Sequence, residues 1–220
     1  MLTSNSAWSA RLSVQNTARR TAALINALSA PEAQAGARTA EAPAATEATE
    51  AAEATSSPYA TSTTAGATAD ALAVADVLRA YGEPDPLAIS AEDIAEMREA
   101  ADALREVFAA GSAGAAAAVL NALLQRTTGT LRLTSHSDGS PWHPHLDSHD
   151  DAPWGEWLLA SSCLALTVLV WDRQCPPGGV CASPSCRAVF VTLNSGPARR
   201  YCSRRCATRE RVAAHRRARG

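Results

Sequence analysis

The stretch "CASPSCRAVFVTLNSGPARRYCSRRCATRERVAAHRRARG", residues 181–220, sets the terms for the whole chain. Its four cysteines, Cys181, Cys186, Cys202 and Cys206, fall into two tight pairs spaced Cys-x4-Cys-x15-Cys-x3-Cys. Two short loops that each deliver two sulfurs are a natural way to build a tetrahedral four-thiolate site. Pro184 turns the first loop so that both of its sulfurs face one point. "AVFVTL" (188–193) alternates as a strand, "NSGP" (194–197) reads as a turn and "ARRYC" (198–202) as the return strand. Cys202 and Cys206 are four apart, so in the first turn of a helix they share a face, and Ser203 stands ready as its cap. Knuckle, hairpin and ligand-bearing helix together predict a treble-clef-like module holding one structural Zn2+. Four thiolates leave no open coordination position. In so small a module the metal supplies most of the folding free energy. Neither pair is C-x-x-C, which speaks against a redox centre.

The helix expected over about 203–219 is crowded with arginine. Cys202, Cys206 and Ala213 turn inward on its helical spacing, with Val212 at the border of that face. Arg205, Arg209 and Arg216 form one flank, Arg204, Arg211 and His215 another, with Arg217 beside them and Arg199 and Arg200 just before. Guanidinium groups bind phosphate through paired donors and read guanine edges. The expected nucleic-acid contacts are therefore Arg199, Arg200, Arg204, Arg205, Arg209, Arg211, Arg216 and Arg217, and the expected partner is double-stranded DNA. The plainer reading is a solvated basic face.

Charge supports the sharper reading. The formal net charge of −2 conceals two opposed halves: residues 1–172 carry 9 arginines against 21 acids, a net −12, and residues 173–220 carry 11 arginines against Glu210 alone, a net +10. Four thiolates and one Zn2+ would lower the latter to about +8, still ample to attract a polyanion. There is no lysine. No signal peptide is apparent at the start of the sequence, and the longest apolar run, "WLLASSCLALTVLVW" (157–171), reads as a core helix too short to span a bilayer comfortably. A cytoplasmic protein without a membrane partner is expected, and in that reducing compartment paired cysteines hold metal more often than disulfides.

Upstream, the pattern is helical. Residues 8–30 read as a short extended start and then a helix with Leu24, Ile25 and Leu28 on its apolar face. Residues 31–68 are Ala, Thr, Glu, Ser and Pro with almost no large apolar side chain, which predicts a disordered insert. "ADALAVADVLRAYG" (69–82) is a helix ended at Gly82. "SAEDIAEMREAADALREVFAAG" (90–111) is the clearest helix: Ser90 and Asp93 form a capping box, and Ile94, Met97, Ala101, Leu104 and Phe108 recur at helical spacing. "AGAAAAVLNALLQRT" (113–127) is another. "TLRLTSHSDGSPWHPHLD" (130–147) predicts a β-hairpin with edge prolines, and "APWGEWLLASSCLALTVLVWDRQ" (152–174) a largely buried helix. The fold class is thus α+β and mostly helical: a body over 1–172 with a small hairpin, a hinge over 173–180 containing "CPPGG", and the zinc module over 181–220.

Other residues offer weaker candidates. His136, His143, His145 and His149 lie among Asp138, Asp147, Asp150 and Asp151, and His143 and His145 share a strand face at a spacing that can chelate metal. The preferred reading is a polar hairpin whose histidines hydrogen-bond or sit in solvent. Cys163 reads as packing, and Cys175 as a hinge thiol that packs or has no role, with a free thiol or redox reporter as the alternative. No phosphate loop, nucleophile elbow or placed carboxylate pair is present, so no catalytic residue is expected.

The same residues carry a resemblance. "CASPSC", "VF", "RRYCS", "CATR" and "VAAHRRAR" resemble the finger of the bacterial CGNR zinc-finger proteins, and "VQNTARR", "EAADALREVF", "VLNALL" and "LRLTS" resemble their larger alanine-rich ABATE-type domain. Ala207-Thr208 stands where that family has Gly-Asn. The resemblance implies a DNA-binding regulator of transcription in stress responses. The architecture, an acidic helical body joined through "CPPGG" to a basic module, leads us to expect that the body senses a small effector or pairs subunits as a homodimer. The competing expectation is a zinc-stabilised protein-interaction adaptor that ignores DNA.

Overall fold

The computed structural model describes residues 9–29, 58–127, 129–135, 141–193 and 199–219, with the backbone alone over 58–68. Among the described residues six helices run in order: α1 (Ala10–Leu28), α2 (Pro58–Ala80), α3 (Ala91–Ala109), α4 (Ala113–Leu124), α5 (Trp154–Arg173) and α6 (Arg204–Arg217). Two antiparallel strand pairs complete it, β1 (Arg132–Thr134) with β2 (His143–His145), and β3 (Gly178–Val180) with β4 (Val189–Val191). The architecture is the expected α+β, mostly helical one.

α3 forms where its caps and apolar spacing dictate. Ser90 Oγ accepts from the Asp93 N–H at 3.1 Å and Asp93 Oδ2 accepts from the Ser90 N–H at 2.8 Å, closing the box. Ile94, Met97, Leu104 and Phe108 are all buried. α3 and α5 pack along each other at the centre, α1 lies against both, and α2 and α4 close the flanks. Close approach of α3 and α5 requires Gly155, since a Cβ there would stand 2.6 Å from Glu96 Cβ. Leu24, Ile25, Leu120, Leu158 and Leu166 fill the space between the helices.

α5 has 20 residues and a mean hydropathy of 1.4 in its most apolar window. It falls within the helix expected over 152–174, and by length and composition alone it could cross a bilayer. Half of that window is buried inside the protein, against α1, α3 and α4.

Polar ties reinforce the body. Arg20 is half-buried across the α1–α5 contact, donating to Glu83 at 2.8 Å and Ser161 Oγ at 3.1 Å, with its guanidinium 4.1 Å from the Trp157 ring centroid. Burial lowers its pKa, and the Glu83 carboxylate opposes that shift. Thr21 Oγ1 meets Ser162 Oγ at 2.8 Å in the same interface.

Two expectations need correction here. α2 starts at Pro58, so residues 58–68, assigned by composition to a disordered insert, are helical. Alanine-rich sequence propagates a helix readily once a nucleus exists, and the packed turns at Val74 and Leu78 provide it. The rest of the insert, 31–57, lies outside the described residues. Residues 178–180, expected in the hinge, form β3, which pairs with β4 and packs on α3.

Candidate metal centre and basic helix

β3 leads directly into the first knuckle, and β4 leads out of it. The ladder continues past the strands: the Cys181 N–H donates to Ala188 O at 2.8 Å. Gly178 is needed for this pairing, because a Cβ would sit 1.8 Å from Phe190 O. The expected return strand over 198–202 does not form among its described residues; there Ala182 N–H to Arg200 O at 2.9 Å and Cys202 N–H to Cys181 Sγ at 3.4 Å bring the second cysteine pair beside the first.

Ser203 caps α6, its Oγ accepting from the Cys206 N–H at 3.2 Å. Cys202 therefore precedes the helix and Cys206 lies in its first turn. The four sulfurs lie within 4.8 Å of one another. Cys186 Sγ is 3.6 Å from Cys202 Sγ, which is 3.7 Å from Cys206 Sγ. A tetrahedron of sulfurs bound at 2.3 Å has edges of about 3.8 Å, so the four donors fit one tetrahedral ion. Among the described residues this is the one grouping of potential ligands of that kind. Burial works against a thiolate at Cys181, but donation from the Cys202 and Ser183 backbones prevails and holds its pKa at about 7. Cys202 is pushed up to about 12 by burial and then by the neighbouring thiols. A coordinated dication deprotonates such thiols outright.

The knuckle and α6 are braced together. Ser183 donates to Glu210 at 2.7 Å, so the one acid of the basic segment works inside the module, on the inward face with Cys206. Arg209 donates to Ser185 Oγ. Arg199 donates to Tyr201 O at 2.7 Å and to Cys202 O, and stacks 4.9 Å from the Phe190 ring centroid. Two of the expected phosphate contacts, Arg199 and Arg209, are thus engaged in holding the metal loops. Arg200 lies over Tyr201, 5.8 Å from its centroid. Arg204, Arg205, Arg211, Arg216 and Arg217 are exposed along α6. Val212 is 44% exposed and belongs to the outer surface, not to the border of the packed face.

The histidine cluster proves to be a polar hairpin face. The register pairs Arg132 with His145 and Thr134 with His143. Asp147, buried, accepts from Arg132 at 2.8 Å and lies 2.9 Å from His145 Nδ1, while Asp150 accepts from Arg132 at 2.6 Å. His143 Nδ1 lies 2.8 Å from Pro141 O. Carboxylates paired with a guanidinium form structural ties, and these side chains are not gathered as ligands around one point. His136 and Asp138 lie outside the described residues. Cys163 is fully buried, and Cys175 is half-buried after α5.

Residues 179–219 match the family model of the CGNR zinc finger. That span begins inside β3, includes all four cysteines and ends after α6, so the match and the observed module coincide. The matched span is thereby similar to a zinc finger in its chain pattern, and its four sulfurs are grouped for a metal ion. No curated protein matches the chain.

Sequence reasoning missed Asn26, Ser183 and Arg173. Asn26 pairs with Val189 from 163 residues away, and Arg173 donates to Thr192 O. No local pattern marks any of them.

Proposed function

We propose that the chain is a DNA-binding transcription regulator in which one structural Zn2+ fixes the finger and α6 meets the phosphate backbone. The observation that carries this reading is the exposure of Arg204, Arg205, Arg211, Arg216 and Arg217 on a helix anchored at its first turn by the metal cysteines. A helix held in this way meets a groove with little ordering cost. Zn2+ is the ion of choice because a tetrahedral four-sulfur set selects zinc or iron–sulfur chemistry, and the family match is to a zinc finger. The body resembles the ABATE-type domain and acts as the regulatory half, through a small effector or a homodimer. It performs no catalysis, and the protein works in the cytoplasm in stress-responsive regulation.

Binding of labelled duplex DNA across a salt series tests this. The parent should bind with steep salt dependence. The variant with Arg204, Arg205 and Arg211 replaced by Ala should bind about tenfold more weakly, with a flatter salt slope and unchanged zinc content. A parent that fails to bind duplex at low salt overturns the reading.

Leu131, Leu133 and Trp142, all exposed on the β1–β2 hairpin, favour a second one: a protein-interaction adaptor. Such a protein would keep its partner at high salt and ignore DNA.

A further inference from the structure

Asn26 stands in the last turn of α1, and its side-chain amide binds one residue of the finger twice. Its Nδ2 donates to Val189 O at 3.0 Å, and its Oδ1 accepts from the Val189 N–H at 2.8 Å. A carboxamide carries the same donor and acceptor as a peptide unit. Asn26 therefore occupies the place of a third strand beside β4, whose other edge is paired with β3. Val189 is itself 2% exposed and belongs to the body's apolar core, and Val180, Val191 and Leu193 pack against that core. On the same peptide unit as that Val189 N–H, Ala188 O receives the N–H of the metal ligand Cys181. α1 is thus joined to the metal centre through a short run of hydrogen bonds and buried side chains.

We propose that Asn26 is a positioning residue that couples the metal-held finger to the helical body. Metal binding then stabilises the body as well as the finger, and the Asn26–Val189 contact sets how firmly the metal is retained. The two effects are reciprocal because both report one coupling free energy. The inference rests on metal binding at the four cysteines and is independent of whether α6 binds DNA.

All five tryptophans lie at or before Trp171, so tryptophan fluorescence follows the body alone. Thermal unfolding of the full chain is read this way with Zn2+ bound, and again after chelation in reducing buffer. In the parent, zinc removal should lower the body's Tm by about 4 °C or more. In Asn26→Leu that difference should shrink to less than half, and chelator-driven release of Zn2+ at 25 °C should be at least about threefold faster, the reciprocal side of the same coupling. Thr21→Val loosens the α1–α5 contact without touching the finger. It should lower both Tm values, keep their difference, and leave zinc release unchanged. Asn26→Asp keeps the acceptor but sets a carboxylate oxygen against Val189 O. It should give an intermediate difference and serves if the Leu variant does not fold. A parent body that melts at one temperature with and without zinc overturns the proposal. So does an Asn26 variant that retains the parent's difference and release rate.

Discussion

The helical body and the finger solve the same problem by different means. The body closes a core of large apolar side chains, with Phe108, Leu24, Ile25, Leu104 and Leu166 fully buried between helices. The finger buries Val189, Phe190 and two of its cysteines, too little apolar surface for a segment of its length to stand alone. Its fold depends on four sulfurs converging on one point, and on the body beneath β3 and β4. The charges diverge likewise: the body is acidic, and the finger carries exposed arginines on a helix with few packed positions. A segment that does not fold by burial can leave most of its helix free to meet a partner.

Removing the metal should break this comparison most strongly. Structural zinc in finger peptides contributes about 10–16 kcal/mol, so Cys206→Ser or chelation should unfold the finger. Amide resonances of residues 181–217 should collapse to unfolded shifts while the helical circular dichroism of the body persists at 25 °C. A finger whose resonances stay dispersed without metal would make it a second apolar-cored domain.

The converse perturbation is smaller. Phe108→Ala removes a side chain that is 1% exposed at the centre of the body. It should cost about 3–5 kcal/mol in denaturant unfolding, with one equivalent of zinc still bound at 20 °C. Loss of zinc in parallel with stability would erase the distinction between the two regions.

The smallest effect separates the body's thiol from the finger's. Burial pushes Cys163 up to about 12, against a usual value of 9.0. Its folded pKa is raised, so the associated stability is complete below pH 9 and declines as pH rises from 9 toward 12. At pH 8 Cys163 should resist alkylation in the native protein and react only on unfolding, which mass spectrometry of the alkylated peptide would show. Rapid native modification would mean that the α5 core opens.

How legible this was depended on distance along the chain. α3 was readable because its signals are local: Ser90, Asp93 and a 3.6-residue apolar rhythm lie within one helix. The metal ligands were readable because two pairs of cysteines at short spacing are themselves a local pattern. The hairpin partner of β4 was not. "ARRYC" and "GGV" both permit an extended strand, and the choice between them fell to the knuckle, which folds β3 back onto β4, and to the α3 surface that receives the pair. Composition also misled at 58–68, where helix propensity without large apolar residues became helix by extension from packed turns downstream.

The sequence by itself determined that this protein has an apolar helical body, a four-cysteine metal module and a basic terminal helix, because periodicity, spacing and charge are properties of neighbouring residues. The tertiary structure alone decided which arginines are engaged and which are exposed. Arg199 and Arg209 turn to the metal loops, because carbonyls, a hydroxyl and a ring lie within their reach only once the loops have folded. It also decided that Asn26 grips Val189, a contact between residues 163 positions apart that exists only because α1 and β4 share one core.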